Sequence, residues 1–203
     1  MAAPEYCRSI MKTIFILVLS LLSGIIAGQS STSVLQVGDI APDFHGTDQT
    51  NDTVNLRESL KNGPVVLIFF RGSWCYHCNK HISKFQDSLE YILDKGASVI
   101  AVSPQIPEYN QKTIHKTGAT FSVIHDYGYE IMDAYYVSFI IDEKTIQKYR
   151  RFGRHIDRAN ANKDYILPVP ATFIIGEDGV ISYIQYDPNY KNRSTVAEVL
   201  KNL

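Results

Sequence analysis

Cys75 and Cys78, in the segment Phe69-Phe-Arg-Gly-Ser-Trp-Cys-Tyr-His-Cys-Asn-Lys80, are the residues whose type and spacing point to chemistry. A thiolate attacks disulfides, and a second thiol nearly one helical turn away can resolve the mixed disulfide by closing an intramolecular bond. What lies on either side decides whether the pair is placed for this. Val65 to Phe70 is a continuous apolar run bounded by Asn62-Gly63-Pro64 and Arg71-Gly72, the pattern of a strand buried on both faces. Beyond the pair, Ile82, Phe85, Leu89, Ile92 and Leu93 recur at helical spacing from Tyr76 to Leu93, and Lys95-Gly96 supplies a stop. Cys75 therefore falls at a helix entrance, where unpaired backbone N–H groups and the positive end of the helix dipole stabilise a thiolate. Cys75 is the expected nucleophile and Cys78 the resolving thiol.

A zinc site is the competing use of such a pair, but zinc normally takes four ligands and the chain has no second Cys pair. Only a metal-handling site improvised from Cys75, Cys78 and His77 or His81 would remain. Haem attachment needs His directly after the second cysteine, and Asn79 stands there. Trp74 is expected to pack beside the disulfide and shape its docking surface. His77 is expected to donate a hydrogen bond or partial positive charge to the Cys75 sulfur. That would favour the reduced form and place the potential above the thioredoxin value of about -270 mV, toward the DsbA value of about -120 mV. No carboxylate lies on Val65 to Phe70, so the strand supplies no base for Cys78.

The remaining pattern is that of an α/β domain. Val37 to Phe44 and a strand near Thr53 to Leu56 suggest an N-terminal hairpin. Strands are expected at Ser98 to Val102 and Phe121 to Ile124, separated by a helix from Pro107 to Thr117, with Glu130 to Val137 helical. Ser138 to Leu167 reads as a less regular insert. Its run Tyr149-Arg-Arg-Phe-Gly-Arg-His155 reads as a solvated helix face, or alternatively as a lid over Cys75. Ala171 to Ile175 and Val180 to Tyr186 form a strand pair around Asp178-Gly179, and Ser194 caps a last helix from Thr195 to Leu203.

With 203 residues, 45% hydrophobic content and a net charge of -1, the chain has the size of one globular domain and no global pull toward nucleic acid. Lys12, the apolar run Ile14 to Leu22, Gly24 to Ala27 and the polar stretch Gln29 to Ser33 read as a signal peptide. Its span is residues 1–29, with Met11 an alternative start, and the domain proper is 34–203. The apolar segment of about 14 residues is short of the ~20 that a spanning helix needs, so no stable membrane anchor is expected. Cys7 precedes the domain, which leaves Cys75 and Cys78 as its only disulfide. Export to the periplasm or the exterior follows from this reading.

Beyond the cysteine pair, the chain resembles the AhpC/TSA redoxins, the peroxiredoxin-like branch of the thioredoxin superfamily. The resemblance covers about Val37 to Leu203 and is carried by Ala41-Pro-Asp-Phe44, Arg71-Gly-Ser-Trp-Cys-Tyr-His-Cys78, Val169-Pro-Ala-Thr-Phe-Ile-Ile175, Asp178-Gly179 and Asp187-Pro-Asn-Tyr190. It implies a thioredoxin-like fold, a central mixed sheet flanked by helices, with the insert preceding the strand that Pro170 opens. It also implies a cis bond at Pro170, which would expose the Val169 backbone to an extended substrate. The implied enzyme is an antioxidant oxidoreductase with no cofactor or resident metal. Its partners would be a protein or small-molecule thiol or disulfide, or a hydroperoxide, together with a redox partner that gives or takes electrons. Two positions depart from the peroxide-reducing pattern: Gly72 stands where Thr or Ser is usual, and Pro170 where Arg is usual. A single missing donor to developing charge can be worth ~3 kcal/mol, and Arg71 and Ser73 are the nearby substitutes. Disulfide exchange is therefore the expected activity, with thiol-dependent peroxidase activity the alternative.

Overall fold

The computed structural model describes residues 34–203, so the leader read at 1–29 lies outside the described residues. In chain order the elements are β1 (His45–Thr47), β2 (Thr53–Asn55), α1 (Leu56–Leu60), β3 (Val65–Phe69), α2 (Tyr76–Asp87), α3 (Leu89–Leu93), β4 (Ser98–Ser103), α4 (Pro107–Thr117) and β5 (Ser122–His125). A 3-10 turn at Tyr127–Tyr129 then leads to α5 (Glu130–Ala134), β6 (Ser138–Ile140), α6 (Glu143–Arg151), α7 (Ile156–Ala159), β7 (Ile166–Pro168), β8 (Ala171–Ile175), β9 (Ile181–Tyr186) and α8 (Val196–Asn202).

The main sheet runs β2-β1-β5-β4-β3-β8-β9. β3 is central: it pairs parallel with β4 and antiparallel with β8, Phe69 standing opposite both Val102 and Ala171. Its unbroken apolar run is explained by cover on both faces. Val65, Leu67 and Phe69 pack with Met132, Tyr135 and Phe173, while Val66, Ile68 and Phe70 pack with Ile82, Phe85, Ile92 and Val199. The mixed sheet flanked by helices is the expected thioredoxin-like architecture.

The structure revises several local readings. The helix expected over Tyr76 to Leu93 breaks at Ser88, whose φ of -116° and ψ of 14° leave the helical region. The entrance hairpin is β1–β2, and the segment before it instead lies along β9, with the Gly38 and Ala41 N–H groups bonded to the Ile181 and Gly179 carbonyls. Thr195, not Ser194, caps α8, in a capping box with Glu198. Ser194 is turned inward. Residues 138–168 are ordered as an antiparallel β6–β7 pair around α6 and α7, closed over Ile141, Ile146, Ile156 and Leu167. Strands of three residues are too short for periodicity to reveal them.

The Val169–Pro170 bond is trans, which corrects the cis expectation. Pro168 is paired with Ser138, and the Val169 N–H donates to the Val137 carbonyl at 2.7 Å. The chain is thereby held extended until it enters β8, and the Val169 N–H is not free to receive an extended substrate.

Because the insert packs on its own small core, its stability should separate from that of the sheet. Ile146→Ala should cost about 2–4 kcal/mol locally. Amide hydrogen exchange should then accelerate across α6 while β3, β4 and β8 keep their protection; uniform loss of protection would mean that insert and sheet open together.

Candidate active site

The loop from β3 to α2 is pinned from below. Gln105, fully buried after β4, accepts the Ser73 N–H at 2.8 Å and spends its own amide protons on Asn110 Oδ1 at 3.0 Å and Thr113 Oγ1 at 2.9 Å. The Ser73 carbonyl accepts from Asn79 Nδ2 at 2.9 Å and Lys116 Nζ at 2.8 Å. Gly72 turns with φ +141°, and a Cβ there would lie 2.8 Å from Trp74 Nε1 and 2.9 Å from Gln105 Oε1. A Thr or Ser at this position would be strained in its backbone and would force the Trp74 and Gln105 side chains to shift.

Cys75 is the N-cap of α2, and its sulfur accepts the Cys78 N–H at 3.3 Å. The two cysteines form a disulfide with Cα atoms 5.2 Å apart. They differ in access: Cys75 lines a cavity of about 240 Å³ with Arg71, Trp74, Tyr149, Arg154 and Tyr190, whereas Cys78 has no exposed surface.

Each sulfur faces its own guanidinium. Arg71 Nη2 donates to Cys75 Sγ at 3.3 Å and Nη1 to the Tyr149 hydroxyl at 2.9 Å, and its guanidinium carbon lies 4.0 Å from the centre of the Tyr190 ring. Arg193 Nη2 donates to Cys78 Sγ at 3.4 Å, and its Nε bonds the Tyr190 carbonyl at 2.7 Å. Among the described residues neither arginine makes a salt bridge. Burial lowers the Arg71 pKa; burial, and then repulsion from Arg71, push that of Arg193 down to about 10. Both still carry charge at neutral pH.

His77 does not reach the sulfur as expected. The donors to the two sulfurs are Arg71, Arg193 and the Cys78 N–H, while the His77 ring makes edge contacts with Tyr76 and Tyr190. Its pKa is lowered, first by burial and then by Arg193, Lys191, Arg71 and Lys80. His81 is buried with Nε2 against the Ser194 carbonyl at 3.0 Å, and the Ser194 hydroxyl bonds Thr172 at 2.8 Å. Its pKa is lowered to about 4, chiefly by burial. Among the described residues no group of three or more His, Cys, Asp or Glu is placed to hold a metal.

Trp74 packs at a tilt against Tyr149, 5.1 Å between ring centres, so the insert forms one wall of the cavity through Tyr149 and Arg154. The basic run is thus more than a solvated face. The β3–β8 register carries Pro170 to the level of Phe70, just before Arg71, with Val169 buried beside it. Sequence reasoning missed Arg193, Tyr190 as a guanidinium platform, and Gln105. Tyr190 lay within a quoted motif, but no spacing links Arg193 to cysteines more than a hundred residues away.

Residues 37–184 match the AhpC/TSA family. The chain is 25% identical over 174 residues to a Mycobacterium tuberculosis protein named as a peroxiredoxin, covering 86% of this chain and 98% of that one. It is 29% identical over 145 residues to the thiol-disulfide oxidoreductase ResA of Bacillus anthracis, covering 67% and 83% respectively. The crystal structure of peroxidoxin BcpB from Mycobacterium tuberculosis superposes with a TM-score of 0.65 at 18% identity, over 83% of this chain and 96% of that one.

Two outcomes follow from this geometry. Gly72→Thr should fail to create a peroxide ligand and should instead lower stability by about 2 kcal/mol or more, through strain and the clash with Gln105; a gain in peroxide rate with unchanged denaturant midpoint would contradict it. His81 should make the fold acid-labile. Its neutral form is favoured by folding, so its contribution is complete above the ordinary value of 6.5 and is lost as pH falls through about 4. That amounts to about 3 kcal/mol, and His81→Leu should flatten the dependence of urea unfolding on pH across this window.

Proposed function

Because the chain belongs to the AhpC/TSA family and is a thiol redox enzyme of that type, we propose that it exchanges disulfides through Cys75, with Cys78 resolving. The observation that carries this reading is the difference in access between the cysteines, one lining the cavity and the other sealed beneath it.

In the reducing direction the Cys75 thiolate attacks a substrate disulfide. A new sulfur–sulfur bond forms to Cys75, and the substrate's other sulfur leaves as a thiolate that takes a proton from solvent. Cys78 then attacks the Cys75 sulfur, closing the internal disulfide and expelling the second thiolate. Two electrons pass from the dithiol to the substrate, and the reverse sequence oxidises a dithiol. The helix N-terminus and Arg71 stabilise negative charge on Cys75. Arg193 does the same for Cys78, which favours its ionisation without a carboxylate base. Stabilising both thiolates favours the reduced form and supports a potential above that of thioredoxin, with the arginines rather than His77 as its source.

Peroxide reduction is the second reading, favoured by the Arg71 contact to the Cys75 sulfur and by relatives named as peroxiredoxins. There Cys75 would take one peroxide oxygen to become a sulfenic acid, releasing an alcohol or water, and Cys78 would close the disulfide with loss of water. Gly72 and Pro170 supply no side-chain donor, which ranks this reaction second. We assign the enzyme to an extracytoplasmic compartment on the sequence of residues 1–29, to be checked by N-terminal sequencing of the mature protein.

Cys78→Ser should accumulate a mixed disulfide on Cys75, and Cys75→Ser should form none; equal trapping by both would sink the assignment. Arg71→Met should slow Cys75 alkylation at pH 7 by about 10- to 100-fold and move its pH profile upward, the worth of one hydrogen bond to a charged group. The wild-type protein should reduce a model disulfide readily and hydrogen peroxide slowly. A peroxide rate near ~10⁸ M⁻¹s⁻¹ would reverse the order of the two readings.

A further inference from the structure

Two cationic hollows meet at His77, within the Cys75–Cys78 segment. The cavity over Cys75 carries Arg71 and Arg154 and no acidic side chain. A larger hollow of about 520 Å³ is lined by Lys80, Lys84, Lys191 and Arg193, and His77 borders both. Its acidic member, Asp87, lies nine residues along α2 from Cys78, about 13 Å away along the helix axis. The buried part of this charge is incompletely paired. Arg71 is 5% exposed, and among the described residues its Nε has no partner, nor has Arg193 Nη1. Those two nitrogens are sealed from solvent, so the charge that an incoming anion can reach is that of the exposed Lys80, Lys84 and Lys191 around the larger hollow.

We propose that the substrate of the dithiol is a small thiol or disulfide bearing carboxylates, whose anionic groups dock on Arg193, Lys191 and Lys80 while its sulfur reaches Cys75. The inference rests on the dithiol-exchange reading and names its substrate class. Three observations favour a small anion over a polypeptide strand. Cys75 is only 3% exposed, at a cavity of about 240 Å³ walled by Trp74, Tyr149 and Tyr190. The Val169 N–H that an extended peptide would use is already bonded to Val137. The larger hollow also falls within the size range of small-molecule sites. The cations repel a positively charged competitor from the same place, so the selection operates on charge as well as size.

The test compares reduced wild-type protein with glutathione disulfide (anionic), bis(2-hydroxyethyl) disulfide (neutral) and cystamine (cationic). Each rate is divided by that of dithiothreitol with the same compound, which removes intrinsic reactivity. Glutathione disulfide should lead the neutral compound by about tenfold or more, cystamine should be slowest, and added salt should erode the lead. In Lys80→Glu and Lys191→Glu, both exposed positions, the glutathione-to-neutral ratio should fall at least several-fold, as expected when like charge replaces opposite charge. Equal normalised rates for the three compounds overturn the proposal, as does a denatured protein disulfide, scrambled ribonuclease, that reacts faster per bond than glutathione disulfide. Absence of reaction with every disulfide overturns the exchange reading itself, and the substrate class with it.

Discussion

Cys75 occupies the N-cap of α2, and that one backbone position couples its sulfur to the helix, to its partner thiol and to the loop that enters from β3. As N-cap it receives the Cys78 N–H directly, so the group that begins the helix also stabilises negative charge on the Cys75 sulfur. Its place depends in turn on how β3 ends. Phe70 still bonds to β4, and the two residues between Arg71 and Trp74 are fixed by the Gly72 turn and the buried Gln105 amide. A site that must hold a sulfur in line with an incoming disulfide gains from such rigidity.

The second constraint is charge. Two guanidinium groups that make no salt bridge among the described residues lie beside an apolar core, an arrangement that costs stability unless something negative completes it. Ionisation of a thiol released by reduction would supply part of that negative charge, each sulfur of the disulfide already lying beside a guanidinium donor. The aromatic platform of Tyr190 and the Tyr149 hydroxyl hold Arg71 without neutralising it, which leaves its charge available to the sulfur. The insert contributes Tyr149 and Arg154, so an apparently accessory segment shapes the mouth of the site.

Family membership and the local geometry differ in emphasis. The chain shares the AhpC/TSA pattern along most of its length, yet at the position where the resemblance would lead one to expect a hydroxyl residue it has Gly72, whose backbone and the Trp74 and Gln105 side chains would strain any side chain there. The departure belongs to the shape of the loop, and a single substitution would not reverse it.

Much of this was legible from residue order. The apolar run of β3, the helical spacing of α2 and the Asp178-Gly179 turn are local patterns, because each reflects the period of its own element. They placed the cysteine pair at a strand-to-helix junction, which is the heart of the site, and the quoted motifs located the family. The tertiary structure alone decided which charges meet the sulfurs. Arg193 reaches Cys78 across 115 positions, Tyr149 reaches Arg71 across 78, and the Val169 N–H is bonded by Val137 from the other side of the insert. Such contacts leave no period in the sequence, since they are selected by how packed elements meet, and the same packing gave His81 and Ser194 buried structural roles that their residue types did not announce.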